Sequence, residues 1–422
     1  MSLLRVQEAP TRLPQNSWRN TQMQHEARST GSKRVVVVGG GSAGISVAAR
    51  LARKGHAIQV VDPSETHDYQ PLWTLVGAGV LPRESARRRE GDLIPRGVEW
   101  VRDAVAEFDP DHDAVVTAGG RRLGYDALVV CAGLQLDWSK VKGLEGNVGR
   151  QGICSNYSYD TVSTTWDAIR SFRGGDAVFT HPATPIKCGG APQKIMYLAD
   201  DAFRRQGVRD KARIHFYSGE PSIFKVEKYA ATLRKVIERK GIEPPHFRHN
   251  LVEVRADARE AVFEDLEAKK EVVRRFDLLH VTPPMSAPDF IKRSPLAAAT
   301  GWVEVDRHTC RHVRFPRVFA LGDCSNLPTS KTGAAIRKQA PVVAANVLDV
   351  LAGREPGATY DGYTSCPLVT GYGSLVLAEF DYDAKPQETF PFDQSKERRS
   401  MYLLKRWMLP AMYWHGMLKG RA

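Results

Sequence analysis

The sequence predicts an α/β protein built from two βαβ-based halves, the first interrupted by the second, with a short C-terminal region of different character. Three observations carry this prediction. A β-branched run, Val35 to Val38, passes directly into a glycine-rich turn and then a helical pattern. A second strand–loop–helix–strand pattern opens at Asp176, just after Gly174-Gly175. A late strand, Val318 to Gly322, ends in Gly-Asp and leads to one more helical stretch, so the first half is completed only after the second has been laid down. The expected division is an N-terminal extension at 1–32, the opening segment of the first domain at 33–173, a second domain at 174–300, the closing segment of the first domain at 301–352, and a C-terminal region at 353–422.

Each element follows from its residues. After Val35–Val38, Ile45 to Lys54 reads as a helix stopped by Gly55, and Ala57 to Asp62 reads as a second strand. Tyr125 to Val130 is a further strand ending in Cys131-Ala132-Gly133. Asp176 to Thr180 opens the second half, a loop covers Pro185 to Gly190, Ala191 to Phe203 is helical, and Ala212 to Tyr217 is the next strand. Phe276 to Val281 and Val318 to Gly322 are later strands, and Gly333 to Leu351 is a helix.

Between the first strand and helix lies Gly39-x-Gly41-x-x-Gly44, with an acid, Asp62, closing the next strand. Gly39 makes the tight turn, Gly41 lets the backbone approach a pyrophosphate, and Gly44 lets helix and strand pack closely. The helix N-terminus offers free N–H groups to the phosphates, and Asp62 is placed to accept from a ribose. This is a dinucleotide cradle that fits FAD or NAD. Leu321-Gly322-Asp323 decides between them, because it resembles the second FAD motif of the two-dinucleotide-binding-domain flavoproteins. There the Asp binds the ribityl chain and the helix after it points at the flavin. The fold class is therefore two Rossmann-like (FAD/NAD(P)-binding) domains with FAD in the first. In the second, the strand runs into His181-Pro182-Ala183-Thr184-Pro185-Ile186-Lys187-Cys188-Gly189-Gly190-Ala191-Pro192. Its glycine spacing is gone, prolines remove backbone donors, and a cysteine stands at the helix entrance, where the helix N-terminus is expected to lower its pKa.

Composition bounds the function. The chain has 422 residues, 42% hydrophobic and 26% charged, with a net charge of +12. That balance suits an anionic membrane surface or small anion; with no RNA-binding signature and no zinc-finger spacing, nucleic acid is the weakest partner. Six cysteines without a CxxC argue against a structural disulfide framework and against zinc. Cys188 and Cys366 lie in Gly/Pro-rich loops, whereas Cys131, Cys154, Cys310 and Cys324 have duller settings. No metal site is expected. The first 32 residues carry Arg5, Arg12, Arg19 and Arg28 against Glu8 and Glu26 without an apolar core, so a mitochondrial transit peptide and a plain extension both stay open. No run of 18 apolar residues spans a bilayer. Ser400 to Ala422 instead interleaves Leu403, Leu404, Trp407, Met408, Trp414 and Leu418 with Lys405, Arg406, Lys419 and Arg421, and Pro410 is expected to break any long helix. That composition suits a membrane interface, with rings at headgroup depth and cations on anionic lipid; packing on the core is the alternative.

Longer stretches carry a family resemblance: HDYQPLWTLVGAG (67–79), SNYS (155–158), TPIKCGGAPQKIMYL (184–198), HVTPPMSAPD (280–289), GDCSNLPTSKT (322–332), YDGYTSCPLVTGY (360–372) and AEFDYDAKPQETFPFDQSKERRSMYL (378–403). The chain resembles the sulfide:quinone oxidoreductases, in particular the branch containing the animal mitochondrial enzyme. The resemblance implies that Cys188 and Cys366 are the catalytic cysteines, joined through sulfur at rest. Hydrosulfide would leave a persulfide on Cys366 and a thiolate on Cys188 against the flavin. A membrane quinone of the ubiquinone type would take the electrons, and sulfite, glutathione, coenzyme A or cyanide would take the sulfane sulfur. FAD contacts are implied at Ser42, Ala43, Gln70, Val105 and Lys331, the last with its charge near the flavin. Cys131 is read as structural. The implied location is peripheral, on a mitochondrial inner or bacterial cytoplasmic membrane. An NADH:quinone oxidoreductase would need an intact second glycine fingerprint, and a non-catalytic FAD-binding sensor would have no need of the cysteine pair.

Overall fold

The computed structural model describes residues 32–422, so the N-terminal extension lies, apart from Ser32, outside the described residues. The first five-stranded sheet is parallel and runs in the order Val318–Ala320, Ala127–Val130, Arg34–Val38, Ala57–Val61, Glu99–Val101. The late strand thus pairs with a strand of the first half, as an interrupted domain requires, with Val318 opposite Leu128. Val35, Val36 and Val37 are fully buried because helices or loops cover both faces of a parallel sheet. The first helix spans Ser42–Leu51, starting three residues before the expected Ile45. Its last turn, Ala52–Lys54, tightens to a 3₁₀ turn before Gly55, whose φ of 79° ends it.

The second five-stranded sheet has the order Ile153–Cys154, Leu278–His280, Gly175–His181, Ala212–Ser218, His246–Phe247. It already takes in Ile153–Cys154, well before Gly174. The helix Ala191–Arg205 crosses from its central strand and packs on the hairpin Thr364–Gly371/Ser374–Phe380. Two three-stranded antiparallel sheets, at 105–124 and 249–275, are additions that the coarse sequence pattern did not resolve.

The C-terminal region corrects two expectations. Pro410 does not break the helix: Arg399–Leu403, a π turn at Leu404–Met408 and Leu409–His415 run on continuously. The widened turn absorbs the missing N–H and the ring of Pro410. Nor do all the cations and rings face outward. Lys405, Tyr413 and Trp414 are buried, while Leu403, Trp407 and Met408 are 45%, 59% and 65% exposed and share one helical face. The segment therefore does both things proposed for it, packing one face on the core and leaving the other apolar and bare. Among the described residues no helix is long and apolar enough to cross a membrane.

Candidate active site

The thiol site is assembled by two loop segments and a strand, so Cys366 is not in the loop expected for it. Cys188 sits between the strand Gly175–His181 and the helix Ala191–Arg205, with φ of +53°, a left-handed conformation uncommon outside glycine. Two backbone bonds hold it there: its N–H donates to the Lys331 carbonyl (2.8 Å), and its carbonyl accepts from Ala191 N–H (2.8 Å). The first of these ties the thiol loop to the segment that follows Gly322-Asp323. Cys366 lies in the strand Thr364–Gly371, anchored by the Thr332–Thr364 hydroxyl pair at 2.8 Å. Helix and strand meet so closely at Gly190 that a Cβ there would stand 2.3 Å from Leu368 Cδ2. The two distant cysteines are thereby brought side by side as free thiols within hydrogen-bonding reach.

Their environments are unequal. Cys188 is held well below the ordinary thiol range, first by the hydrogen bond from Cys366 and then by the Lys194 ammonium, whose Nζ lies 3.1 Å from Cys188 Sγ. Cys366 is pushed well above that range by the same pairing and by burial. The helix N-terminus, expected to acidify Cys188, gives its first N–H to the Cys188 carbonyl, and it is the Cys366 hydrogen bond, then the Lys194 ammonium, that lower the thiol. Lys405, expected on lipid headgroups, is 4% exposed; its Nζ donates to the Pro71 carbonyl at 3.0 Å. Burial, then Lys194, bring its pKa down to about 7, with the two cysteines opposing. Sequence reasoning missed Lys194 and Lys405, because neither carries a local motif. Among the described residues Cys188 is the one cysteine that is not buried. Burial lifts Cys154 and Cys310 to about 12 and Cys324 to about 11, and lifts Cys131 well above its ordinary value.

The cradle is built as its glycines require. Gly39 has φ of +100°, and a Cβ there would stand 2.5 Å from the Cys131 carbonyl oxygen. A Cβ on Gly44 would stand 1.8 Å from the Gly39 carbonyl oxygen, whereas Gly41 faces open space. Ser42 and Ala43 open the helix. Asp62 lies just past its strand, with Oδ2 accepting from Gly40 N–H at 2.5 Å. Gln70 is exposed beside Pro71, and Val105 is buried at the start of its own sheet. Gly322, φ +72°, opens a single 3₁₀ turn, Gly322–Cys324, and the helix expected at Gly333 to Leu351 spans those residues, capped by Thr332. Lys331 is no solvated lysine. Its Nζ donates to the Asp323 (2.7 Å) and Ser325 (3.0 Å) carbonyls and lies 3.8 Å from the Trp302 ring centroid. Burial raises the Asp323 carboxyl, with Lys331 and Lys187 opposing.

Residues 33–162 match the family model described as pyridine nucleotide-disulphide oxidoreductase. The chain is 50% identical to "Sulfide:quinone oxidoreductase, mitochondrial" of Mus musculus over 92% of its length and 86% of the relative's. It is 49% identical to the protein of the same name in Dictyostelium discoideum, with the same coverage. This chain belongs to the sulfide:quinone oxidoreductase family. The crystal structure of the sulfide:quinone oxidoreductase from Aquifex aeolicus shares its fold, with a TM-score of 0.79 at 18% identity over 92% of each chain. Members of the family depend on FAD, and this molecule fits that group. An open Gly41, free N–H groups at the helix start and an acid at the strand end suit a pyrophosphate and a ribose, and the Gly322-Asp323 turn with Lys331 stands beside the thiol loop.

Proposed function

We propose that this protein is a sulfide:quinone oxidoreductase whose reaction runs on Cys188 and Cys366. The single observation that carries this reading is the meeting of those two thiols, oppositely displaced in acidity, where a second nucleotide cradle would otherwise stand. In the oxidised pair the two sulfurs share one bond. Hydrosulfide attacks Cys366, that bond breaks, and its electron pair leaves with Cys188 as thiolate, so Cys366 carries the persulfide. Lys194, at 3.1 Å, stabilises the leaving thiolate. An external nucleophile, a role that a second hydrosulfide can fill, then takes the outer sulfur from Cys366 and leaves both cysteines reduced. FAD, when bound, would supply the two-electron acceptor that links reoxidation of the cysteine pair to a quinone. Gly39, Gly41, Ser42, Ala43, Gly44 and Asp62 would hold its adenosine and pyrophosphate, and Gly322, Asp323 and Lys331 its flavin side, with Gln70 and Val105 as further contacts.

The buried Lys194 ammonium, joined by Lys405 as pH falls through about 7, favours an anionic sulfur acceptor, a class that covers sulfite, the thiolates of glutathione and coenzyme A, and cyanide. The exposed Leu403, Trp407 and Met408 face seats the enzyme peripherally on the mitochondrial inner or bacterial cytoplasmic membrane where its quinone resides. Adding sulfide to the holoenzyme should bleach the visible flavin band, and a quinone should restore it. Cys188→Ser and Cys366→Ser should each abolish sulfide-dependent quinone reduction while FAD stays bound. Near-normal turnover by either variant, or bleaching by NADH in place of sulfide, would overturn the reading.

A further inference from the structure

The apolar face of the C-terminal helix is bordered by two arginines that no acid of the protein neutralises. Arg406 is part of that helix, and its guanidinium carbon lies 4.9 Å from the ring centroid of the exposed Trp407. Arg205 closes the helix Ala191–Arg205 of the second sheet; it is exposed and lies over the Tyr372 ring at 4.0 Å. Tyr372 sits in the turn of the hairpin Thr364–Gly371/Ser374–Phe380. The helix Arg399–Leu403 packs on that hairpin, where the Arg398 N–H donates to the Leu375 carbonyl at 2.9 Å. Tyr402, on this helix, feels both arginines: burial raises its hydroxyl, and Arg406 and then Arg205 oppose the rise. The carboxylates of the neighbourhood are already taken. Asp200 holds Arg204, Arg209 and Lys240, Asp201 holds Lys240 and the Tyr372 N–H, and Glu397 holds Arg239, which leaves Arg205 and Arg406 without an ion pair among the described residues. No Asp or Glu follows Glu397 in the chain, whereas Arg399, Arg406, Lys419 and Arg421 do.

Two neighbouring guanidiniums without a counter-charge repel each other and gain when one anion is shared between them. Each presents a planar fork of donors that matches a phosphate. The surroundings say what carries that phosphate. Leu403, Trp407 and Met408 stand bare next to Arg406, and a free inorganic anion would leave them bare. A phospholipid covers both at once, with its headgroup on the arginines and its chains on the apolar face, and a tryptophan ring beside an arginine is the pattern of headgroup depth. Choline would offset the phosphate charge, so a headgroup of net negative charge fits best. We propose that Arg205 and Arg406 form a phosphate site for the headgroup of an anionic phospholipid, beside the face that Leu403, Trp407 and Met408 sink into the acyl layer. This names the lipid partner of the membrane face described under the proposed function and rests on that reading. It also brings a residue from outside the C-terminal region, Arg205, into the bilayer contact.

Binding of the FAD-loaded enzyme is measured by flotation with vesicles of phosphatidylcholine alone and with vesicles in which one third of the lipid is phosphatidylglycerol, at one ionic strength. Flavin absorbance checks that each variant is folded. The wild-type protein should bind the anionic vesicles about tenfold or more tightly than the neutral ones. Arg205→Gln and Arg406→Gln should each weaken binding to the anionic vesicles about fivefold and leave binding to the neutral ones unchanged. Because both hold one phosphate, the double variant should lose less than the product of the two single losses. Arg421→Gln removes a charge elsewhere on the same segment and should lose clearly less than either. Equal binding of the wild type to both vesicles, an Arg421→Gln loss as large as that of Arg205→Gln, or fully multiplicative losses in the double variant would overturn the headgroup site while leaving the membrane reading in place. Binding to neither vesicle would remove the membrane reading and the site with it.

Discussion

Lys405 shows how one residue can be unfavourable for folding and useful for chemistry. Its pKa falls from an ordinary 10.5 to about 7 on folding. Because the folded value is the depressed one, its contribution to stability is most favourable above the unfolded value and is lost as pH falls through about 7. Lys405→Met should therefore raise stability at pH 6 by about 1–4 kcal/mol, with the gain shrinking toward pH 10, as read from melting at both pH values. The same change should slow flavin bleaching by sulfide, since a positive neighbour of the cysteine pair is gone. A variant equally stable at both pH values would contradict this. Lys194 makes the sharper kinetic case. Its ammonium, 3.1 Å from Cys188, favours the thiolate, so Lys194→Met should move the acidic limb of the bleaching rate to higher pH. An unmoved limb would show that the thiolate draws its stability elsewhere.

At the scale of elements, the helix Ala191–Arg205 is seated on the Cys366 strand through Gly190. Gly190→Ala would set a Cβ against Leu368 at a separation no packed pair tolerates. It should push the two thiols apart, cutting sulfide turnover while leaving FAD absorbance intact; full turnover would mean that Leu368 simply rotates away. The C-terminal helix offers a second test. Replacing Leu403, Trp407 and Met408 by serine should lower partitioning onto lipid vesicles by on the order of a hundredfold. Turnover with a water-soluble quinone should be unaffected. These elements also mark what was legible in the sequence. The strand at Arg34–Val38, the cradle glycines and the helix Gly333–Leu351 could be read because β-branched runs, glycine spacing and helical periodicity are local signals. The neighbourhood of Cys188 and Cys366 came from family likeness, not from spacing. Lys194 and Lys405 were illegible because burial beside a thiol is set by segments far apart in the chain. The course of the helix past Pro410 depended on a π turn that no residue pattern announces.

The whole molecule is closed by its own C-terminus. The last residues return to the cradle helix: Arg50 Nη2 donates to the Ala422 carbonyl and Arg53 Nη2 to that of Lys419, both at 2.5 Å. Tyr413, Trp414, Met417 and Leu418 are at most 4% exposed in the same core cluster as Val35 and Ile45. Burying four such side chains is worth roughly 6–12 kcal/mol before any hydrogen bond is considered, which is comparable to the roughly 5–15 kcal/mol net stability of a typical domain. The membrane-facing segment is therefore no appendage that could be trimmed to give a soluble enzyme. It is a wall of the first domain whose inner face completes the core and whose outer face carries the exposed Trp407. A chain ending at Arg398 should accordingly lose FAD together with its bilayer affinity and melt at markedly lower temperature than the full chain. Recovery of that shortened chain as a soluble, FAD-loaded protein still bleached by sulfide would show that the cradle stands without its C-terminal wall.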